Sequence, residues 1–230
     1  MSGPFATALA RLRRCHSGVA ATEFALALPF LLGSGLMGLE VANRAIVSMQ
    51  VNQIAVQIAD NASRIGDTST LDNRKIYESD IDDLLRGADT QGGGSIGLFK
   101  HGRVIISSLE VVPGTDDQQY IHWQRCAGKK QHVSSYGLEG DGSANGIPGM
   151  GPSGQEVWAF KDEAVIFVEI SYDYQSLVGT TFGMGGELSS TASFTVRDDR
   201  DLTQIYQRDP SEPDPVASCD KYDDPATSEA

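Results

Sequence analysis

The sequence has few basic residues, and this shortage limits what the chain can bind. Its 230 residues include 18 Lys and Arg against 31 Asp and Glu, which gives a formal net charge of −13. Nucleic-acid binding depends on clustered Lys and Arg that neutralise phosphates. We therefore expect no nucleic-acid partner, and we interpret the acidic excess as a solvated surface.

Motifs for catalysis and for metal or phosphate binding are also missing. The sequence contains no HExxH, no paired CxxC and no GxSxG, the spacings that would indicate a zinc site or an activated serine. The glycine run at 92–94 lacks the Lys and Ser/Thr of a phosphate loop. His101, His122 and His132 are scattered, and we expect them to be exposed or hydrogen-bonded. The sequence therefore predicts neither an enzyme nor a cofactor.

One loop copies the first half of a calcium-binding motif. Residues 141–146 read D-x-S-x-N-G, which offers oxygen ligands from Asp141, Ser143 and Asn145. The twelfth position of such a motif needs a bidentate Glu, and here it is Pro152. Glu139 or acids of the C-terminal tail would have to complete the site. A turn-rich loop without a metal is the simpler interpretation.

A single long apolar segment is present, close to the N-terminus. Residues 19–39 contain one ionisable side chain, Glu23, and as a helix they would be roughly 30 Å long, the thickness of a bilayer's hydrocarbon core. The basic residues Arg11, Arg13 and Arg14 precede this segment, and such charge normally stays cytoplasmic. Because the net charge of −13 includes these arginines, the remainder carries −16. The pattern predicts one membrane anchor and one acidic, exported body.

Helical patterning continues beyond the anchor. Apolar residues recur three or four positions apart, which indicates an amphipathic helix that packs on a core and ends near Gly66. A second, short helix is predicted over about 74–86, and the glycine-rich stretch 91–95 is predicted to be a flexible break. The apolar positions of the first stripe are Val47, Val51, Ile54, Ile58, Ala62 and Ile65.

The second half of the sequence is typical of strands. β-Branched and aromatic residues form short runs between turn residues, with a long Gly/Ser/Pro loop over 137–154. We expect an α+β fold in which the long N-terminal helix packs on a small, mainly antiparallel sheet. From Asp209 onward the acidic, proline-rich tail is expected to lack regular structure. The predicted strands are 96–99, 104–112, 120–126, 164–174 and 189–196, with residues 100–103 as a hairpin turn.

The segment where the basic leader meets the anchor carries a family resemblance. Residues 13–29 read RRCHSGVAATEFALALP, which resembles the type IV pilin class and most closely the TadE-like pseudopilins of the tight-adherence (Flp) pilus. In that family a basic leader ends in Gly, and Glu is the fifth residue after the cleavage site. The later runs WQRC at 123–126 and VEISYDY at 168–174 are similar to the family's exported part.

This resemblance implies a processed, membrane-held subunit. Prepilin peptidase would cut between Gly18 and Val19, and Glu23 would pair with the new α-amino group of a neighbouring subunit. Phe24 and Pro29 match the family's aromatic and proline positions. Implied partners are other pseudopilins, the major pilin, the peptidase and the inner-membrane assembly platform, and the implied fold is pilin-like. The expected organisation is a cytoplasmic leader at 1–18, an assembly helix at 19–39, a periplasmic α+β domain at 40–208 and a tail at 209–230.

Other interpretations of the N-terminal segment remain open at this stage. Glu23 would be satisfied equally if its side chain reached the lipid headgroups. An ordinary signal peptide has a shorter apolar region; residues 42–45 could imitate its cleavage site, but Glu40 and Asn43 suit such a site poorly. The alternative from another functional class is an uncleaved anchor that carries a periplasmic binding module, which would use the sheet and the 137–154 loop.

The cysteines are consistent with the implied cleavage. The chain has three cysteines, and loss of residues 1–18 would discard Cys15 and leave an even number. In the oxidising periplasm, Cys126 and Cys219 would then form a disulfide that pins the acidic tail to the sheet. The alternative is that they are separate buried thiols.

Overall fold

The computed structural model describes residues 17–67, 73–179, 185–197 and 199–224. Most of the predicted leader, 1–16, and the end of the tail, 225–230, therefore lie outside the described residues. The described chain divides into two units. One consists of residues 17–45 with 176–179, and the other consists of 46–67, 73–175, 185–197 and 199–224.

The architecture is α+β, as the sequence predicts. A long N-terminal helix packs on a four-stranded sheet of order β2-β1-β3-β4 in which all neighbouring strands are antiparallel. The elements in chain order are α1 (Ser17–Ala62), α2 (Glu78–Ala88), a π-helical turn (Asp89–Gly93), α3 (Gly94–Ile96), α4 (Leu98–His101), β1 (Gly102–Val111), β2 (Gln119–Ala127), β3 (Ala164–Asp173) and β4 (Glu187–Thr195).

The second half of α1 forms the centre of the core. All the stripe positions from Val47 to Ala62 are buried, and Ile65 packs at the edge of the same cluster. They meet the apolar side chains of the facing strands, among them Val104 and Val168. The helix ends at Ala62, and Gly66 lies just beyond it, where the sequence predicts the end of the helix.

The segment before β1 differs from the prediction. Residues 96–99 do not form a strand, and 91–95 is not a flexible break, because the chain winds through short helical turns from Asp89 to His101. Gly97 joins two of these turns with φ 62°, a conformation that other residues rarely adopt. This course places Leu98 and Phe99 in the core. Tertiary burial of these side chains outweighs their strand-like local pattern.

The second helix begins later than predicted. Its first turn starts at Glu78, where Asp80 Oδ2 accepts a hydrogen bond from the Tyr77 backbone N–H at 3.0 Å. Upstream, Arg74 and Tyr77 form isolated parallel bridges with Arg200 and Tyr206. The backbone of the expected first turn is therefore used in pairing with a segment more than a hundred residues away, which a local pattern does not reveal.

Both faces of the two central strands are covered. Every residue of β1 except the last is buried, and so is every residue of β3 except the last. The face opposite α1 carries a smaller cluster in which Leu109, Ile121 and Phe167 pack against Met150 and Ala159 of the connection between β2 and β3, residues 128–163. This burial explains why β3 has a largely apolar sequence rather than an alternating one, whereas β1 buries several polar side chains, among them Arg103 and Glu110.

Buried polar side chains of the sheet fix the course of the connection between β2 and β3. The Gln119 side-chain amide accepts from the Ala159 N–H at 2.7 Å and donates to the Ala159 carbonyl at 3.0 Å. The Gln124 side-chain amide donates to the Gly137 carbonyl at 2.9 Å. The Glu169 carboxylate accepts from the Ser135 N–H at 3.1 Å. These bonds satisfy loop backbone that would otherwise be buried without partners.

Candidate functional site

The first half of α1 is an apolar surface. All its side chains from Gly18 to Leu39 are exposed, including Phe24, Phe30 and Leu32. Among the described residues it is the one helix long and apolar enough to cross a membrane. An apolar surface of this extent on a helix needs a lipid or protein environment.

The predicted cleavage and assembly residues all lie on this helix. Gly18 and Val19 are in its first turn, since α1 begins at Ser17. Glu23 is exposed and is the single charged side chain of 19–39. Pro29 lies inside the helix, where it lacks the N–H that would bond the carbonyl four residues earlier.

The hydroxyl groups of this segment are satisfied within the helix. Thr22 Oγ1 donates to the Val19 carbonyl at 2.8 Å and Ser34 Oγ donates to the Leu31 carbonyl at 3.0 Å. Such bonds remove the need for water around these side chains. The Glu23 carboxylate therefore remains the most polar group of the apolar segment.

The carboxylate that follows the apolar segment is buried. Glu40 is 1% exposed, and its Oε2 accepts the backbone N–H groups of Leu177 at 2.9 Å and Val178 at 3.0 Å. Sequence reasoning considered Glu40 only as a residue that suits a signal-peptide cut poorly. The sequence does mark Glu40 as the first charged residue after the apolar run. It does not indicate the binding partner, because Leu177 lies 137 residues away.

The structure joins Cys126 and Cys219 in a disulfide, the pairing expected from the sequence. Cys126 is in β2 and Cys219 is in the tail. The tail runs along the outer edge of β2, where the Cys126 N–H donates to the Ala217 carbonyl and the Gly128 N–H to the Asp223 carbonyl, each at 2.7 Å. The described part of the tail, 209–224, contains no helix or strand, but it is fixed to the body.

A buried arginine holds the same part of the tail. Arg103 is 1% exposed and donates to the carbonyls of Gly128 at 2.9 Å, Cys219 at 2.8 Å and Lys221 at 2.5 Å. The Tyr222 ring lies 4.1 Å from its guanidinium carbon. The pKa of Arg103 lies below its ordinary value because the guanidinium is buried. Tyr222 and nearby acids offset part of this lowering. This contact was missed in the sequence, because nothing local distinguishes Arg103 from a surface turn residue.

A cleft of about 530 Å³ lies beside the ends of β1 and β2. Glu110, buried at its edge, accepts from Ser108 Oγ at 2.6 Å and is bonded to His122 Nδ1 at 2.9 Å. The hydrogen bond to Glu110 raises the pKa of His122. Burial raises the pKa of Tyr120, also in this cleft, to about 12. A carboxylate that orients an imidazole suits proton exchange or cation binding. Ser108 is not placed as a nucleophile, because its Oγ donates to Glu110 and is not bonded to the histidine.

The calcium candidates form a turn. Asp141 Oδ2 accepts the Leu138 N–H at 2.8 Å, and Ser143 and Asn145 are exposed on the loop. Within the described ranges no group of three or more His, Cys, Asp or Glu side chains is placed to hold a metal ion. His132 is paired with Glu169 at 3.0 Å.

Comparison with known proteins does not assign a family. No protein-family model, no curated protein and no solved structure matches the chain.

Proposed function

We propose that this chain is a minor pseudopilin of a tight-adherence (Flp) pilus, cleaved after Gly18 and required for pilus assembly and surface adhesion. Residues 19–39 hold it in the bacterial inner membrane, with the N-terminus cytoplasmic and the sheet domain in the periplasm. The observation that carries the proposal is the exposed, apolar first half of α1, residues 19–39, in which Glu23 is the single charge.

The chemistry of Glu23 supports assembly rather than simple anchoring. A carboxylate near one end of an apolar helix is costly in lipid unless a cation or donor neutralises it. Cleavage at Val19 creates an α-amino group on every subunit. When subunits stack, the amine of one can pair with the Glu23 of the next, so the pair sets the register of helix packing.

The size of the exported part supports a minor role. A major Flp pilin is little more than the helix, according to the resemblance, whereas this chain adds a four-stranded sheet and a disulfide-held tail. The expected partners are other pseudopilins, the major pilin, prepilin peptidase and the inner-membrane assembly platform.

Processing at Gly18 is the first test. Gly18→Phe is expected to accumulate as full-length precursor, because the peptidase must accommodate the residue before the cut. The measurement is N-terminal sequencing and intact mass of protein from cells with the pilus machinery, where the unchanged chain should begin at Val19. Gly35→Phe is the matched control, since no neighbouring atom crowds either glycine. Normal maturation of Gly18→Phe would contradict the peptidase assignment.

A mature chain that begins at Met1 would favour the other candidate function. In that case the helix is an uncleaved anchor, and the cleft beside Glu110 and His122 becomes the centre of a periplasmic binding module.

Loss of the Glu23 charge is expected to reduce incorporation into filaments on the order of tenfold, or about 1.4 kcal/mol, because the α-amino group of the neighbouring subunit then has no counter-charge in the apolar layer. Glu23→Gln is the preferred variant, since it keeps the shape and removes the charge. The measurement is the ratio of sheared filament-associated protein to membrane-held protein. Glu163→Gln, an exposed carboxylate of the body, is the matched control. If Glu23→Gln is incorporated into filaments at the wild-type level, Glu23 does not have the proposed role in assembly.

A further inference from the structure

The connection after β3 is bound to the membrane helix through Glu40. Glu40 Oε2 accepts two consecutive backbone N–H groups, those of Leu177 and Val178. Both residues belong to the same unit as the first half of α1. Residues 176–179 have no regular structure, so their N–H groups would otherwise depend on water.

The position of Glu40 along the chain places this contact at a bilayer boundary. Glu40 directly follows the apolar residues 19–39, whose helical length is about that of the hydrocarbon core. Residues 176–179 are tied to Glu40 by hydrogen bonds and must lie at the same level. At that depth, irregular backbone persists only where the protein satisfies its polar groups, which the Glu40 carboxylate does here.

We propose that residues 176–179 form a second contact with the membrane surface, in which Leu177 inserts among lipids beside the helix. The proposal rests on the membrane anchoring of 19–39 given above. Leu177 is 61% exposed although it is apolar and belongs to a segment held at the boundary. Leu39 and Val41, on either side of Glu40, are also exposed. Lipid at the boundary gives these side chains an apolar environment.

Spin labels on the full chain in phosphatidylethanolamine–phosphatidylglycerol vesicles test the proposal. Leu177→Cys, Val133→Cys and Leu31→Cys are labelled with a nitroxide in a Cys15→Ser background that keeps the Cys126–Cys219 disulfide. Collision rates with oxygen, which enters lipid, and with a water-soluble nickel chelate are then compared. Val133 is the matched control because it is also 61% exposed and lies in the body, while Leu31 reports on the anchor.

The label at 177 is expected to have a several-fold higher oxygen-to-nickel ratio than the label at 133, and a lower ratio than the label at 31, which lies near the middle of the apolar segment. Glu40→Ala should lower the ratio at 177 to that at 133 without changing the ratio at 31, and Glu40→Gln should preserve most of it, since its oxygen still accepts hydrogen bonds. A lipid-exposed label at 31 with a water-exposed label at 177 would overturn the inference alone. A water-exposed label at 31 would overturn the anchor itself.

Two further outcomes would also reject the proposal. Protection of the label at 177 from both reagents would mean that protein, not lipid, covers Leu177. An unchanged ratio at 177 in Glu40→Ala would show that Glu40 does not hold the segment at the membrane.

Discussion

Replacement of Cys219 by Ser is expected to lower the free energy of unfolding by about 4–5 kcal/mol, because the disulfide closes a long loop in the unfolded chain. Cys126 and Cys219 are 93 residues apart in sequence. In the folded protein the tail also loses its covalent link to β2, so its backbone bonds to Cys126 and Gly128 should open more often. The expected result is a lower urea midpoint and early cleavage of the tail by proteases.

The measurement is urea unfolding of the full chain in detergent micelles, followed by fluorescence and by limited proteolysis. Cys15→Ser is the matched control, since it removes a thiol from the leader and should leave the midpoint unchanged. Reduction of the unmodified protein should reproduce the effect of Cys219→Ser. Equal stability of the oxidised and reduced proteins would contradict a stabilising role for the bond.

Replacement of Arg103 by Met is expected to cost about 3–5 kcal/mol, since one buried and two partly buried carbonyl groups lose their charged donor. Methionine keeps much of the apolar volume, so the loss reports on the hydrogen bonds to Gly128, Cys219 and Lys221. Gly128 shows how closely the segments approach here, because a Cβ on it would lie 2.3 Å from the Gly102 carbonyl oxygen.

Urea unfolding of Arg103→Met is best compared with that of Arg64→Met. The Arg64 side chain is 52% exposed and pairs with Asp60 on the helix surface, and exposed pairs of this kind contribute about 0.3–0.5 kcal/mol. Hydrogen exchange should show faster exchange at Cys126 and Gly128 in Arg103→Met. If both arginine variants lose the same small amount of stability, the tail is held by the disulfide alone.

The sequence predicts the Cys126–Cys219 disulfide of the tail correctly but not the position of the tail on the sheet. Composition predicts an acidic, proline-rich segment without helix or strand, and the described residues 209–224 contain neither. The same composition does not indicate that the tail covers the edge of β2. That position depends on Arg103 and on free N–H groups of an edge strand, which exist only after the sheet has formed.

The stretch before β1 shows the limit of local pattern. Residues 96–99 are apolar and flanked by glycine, which favours a strand in a window of this length. The helical turns that form instead are stabilised by the burial of Leu98 and Phe99 in the core with α1 and by the left-handed Gly97. These contacts involve partners far along the chain, so the local signal was wrong.

The sequence by itself determined the long apolar N-terminal segment, the amphipathic continuation of the helix and the strands β1 to β4, because period and composition are local properties. Only the tertiary structure decided that Glu40 binds the segment 176–179, that Arg103 holds the tail and that Glu110 orients His122. Each of these is a buried polar group; the partners of Glu40 and the tail partners of Arg103 lie more than a hundred residues away, and that of Glu110 lies on the neighbouring strand. Burial makes such a partner necessary, but it does not say which residue the folded chain will bring there.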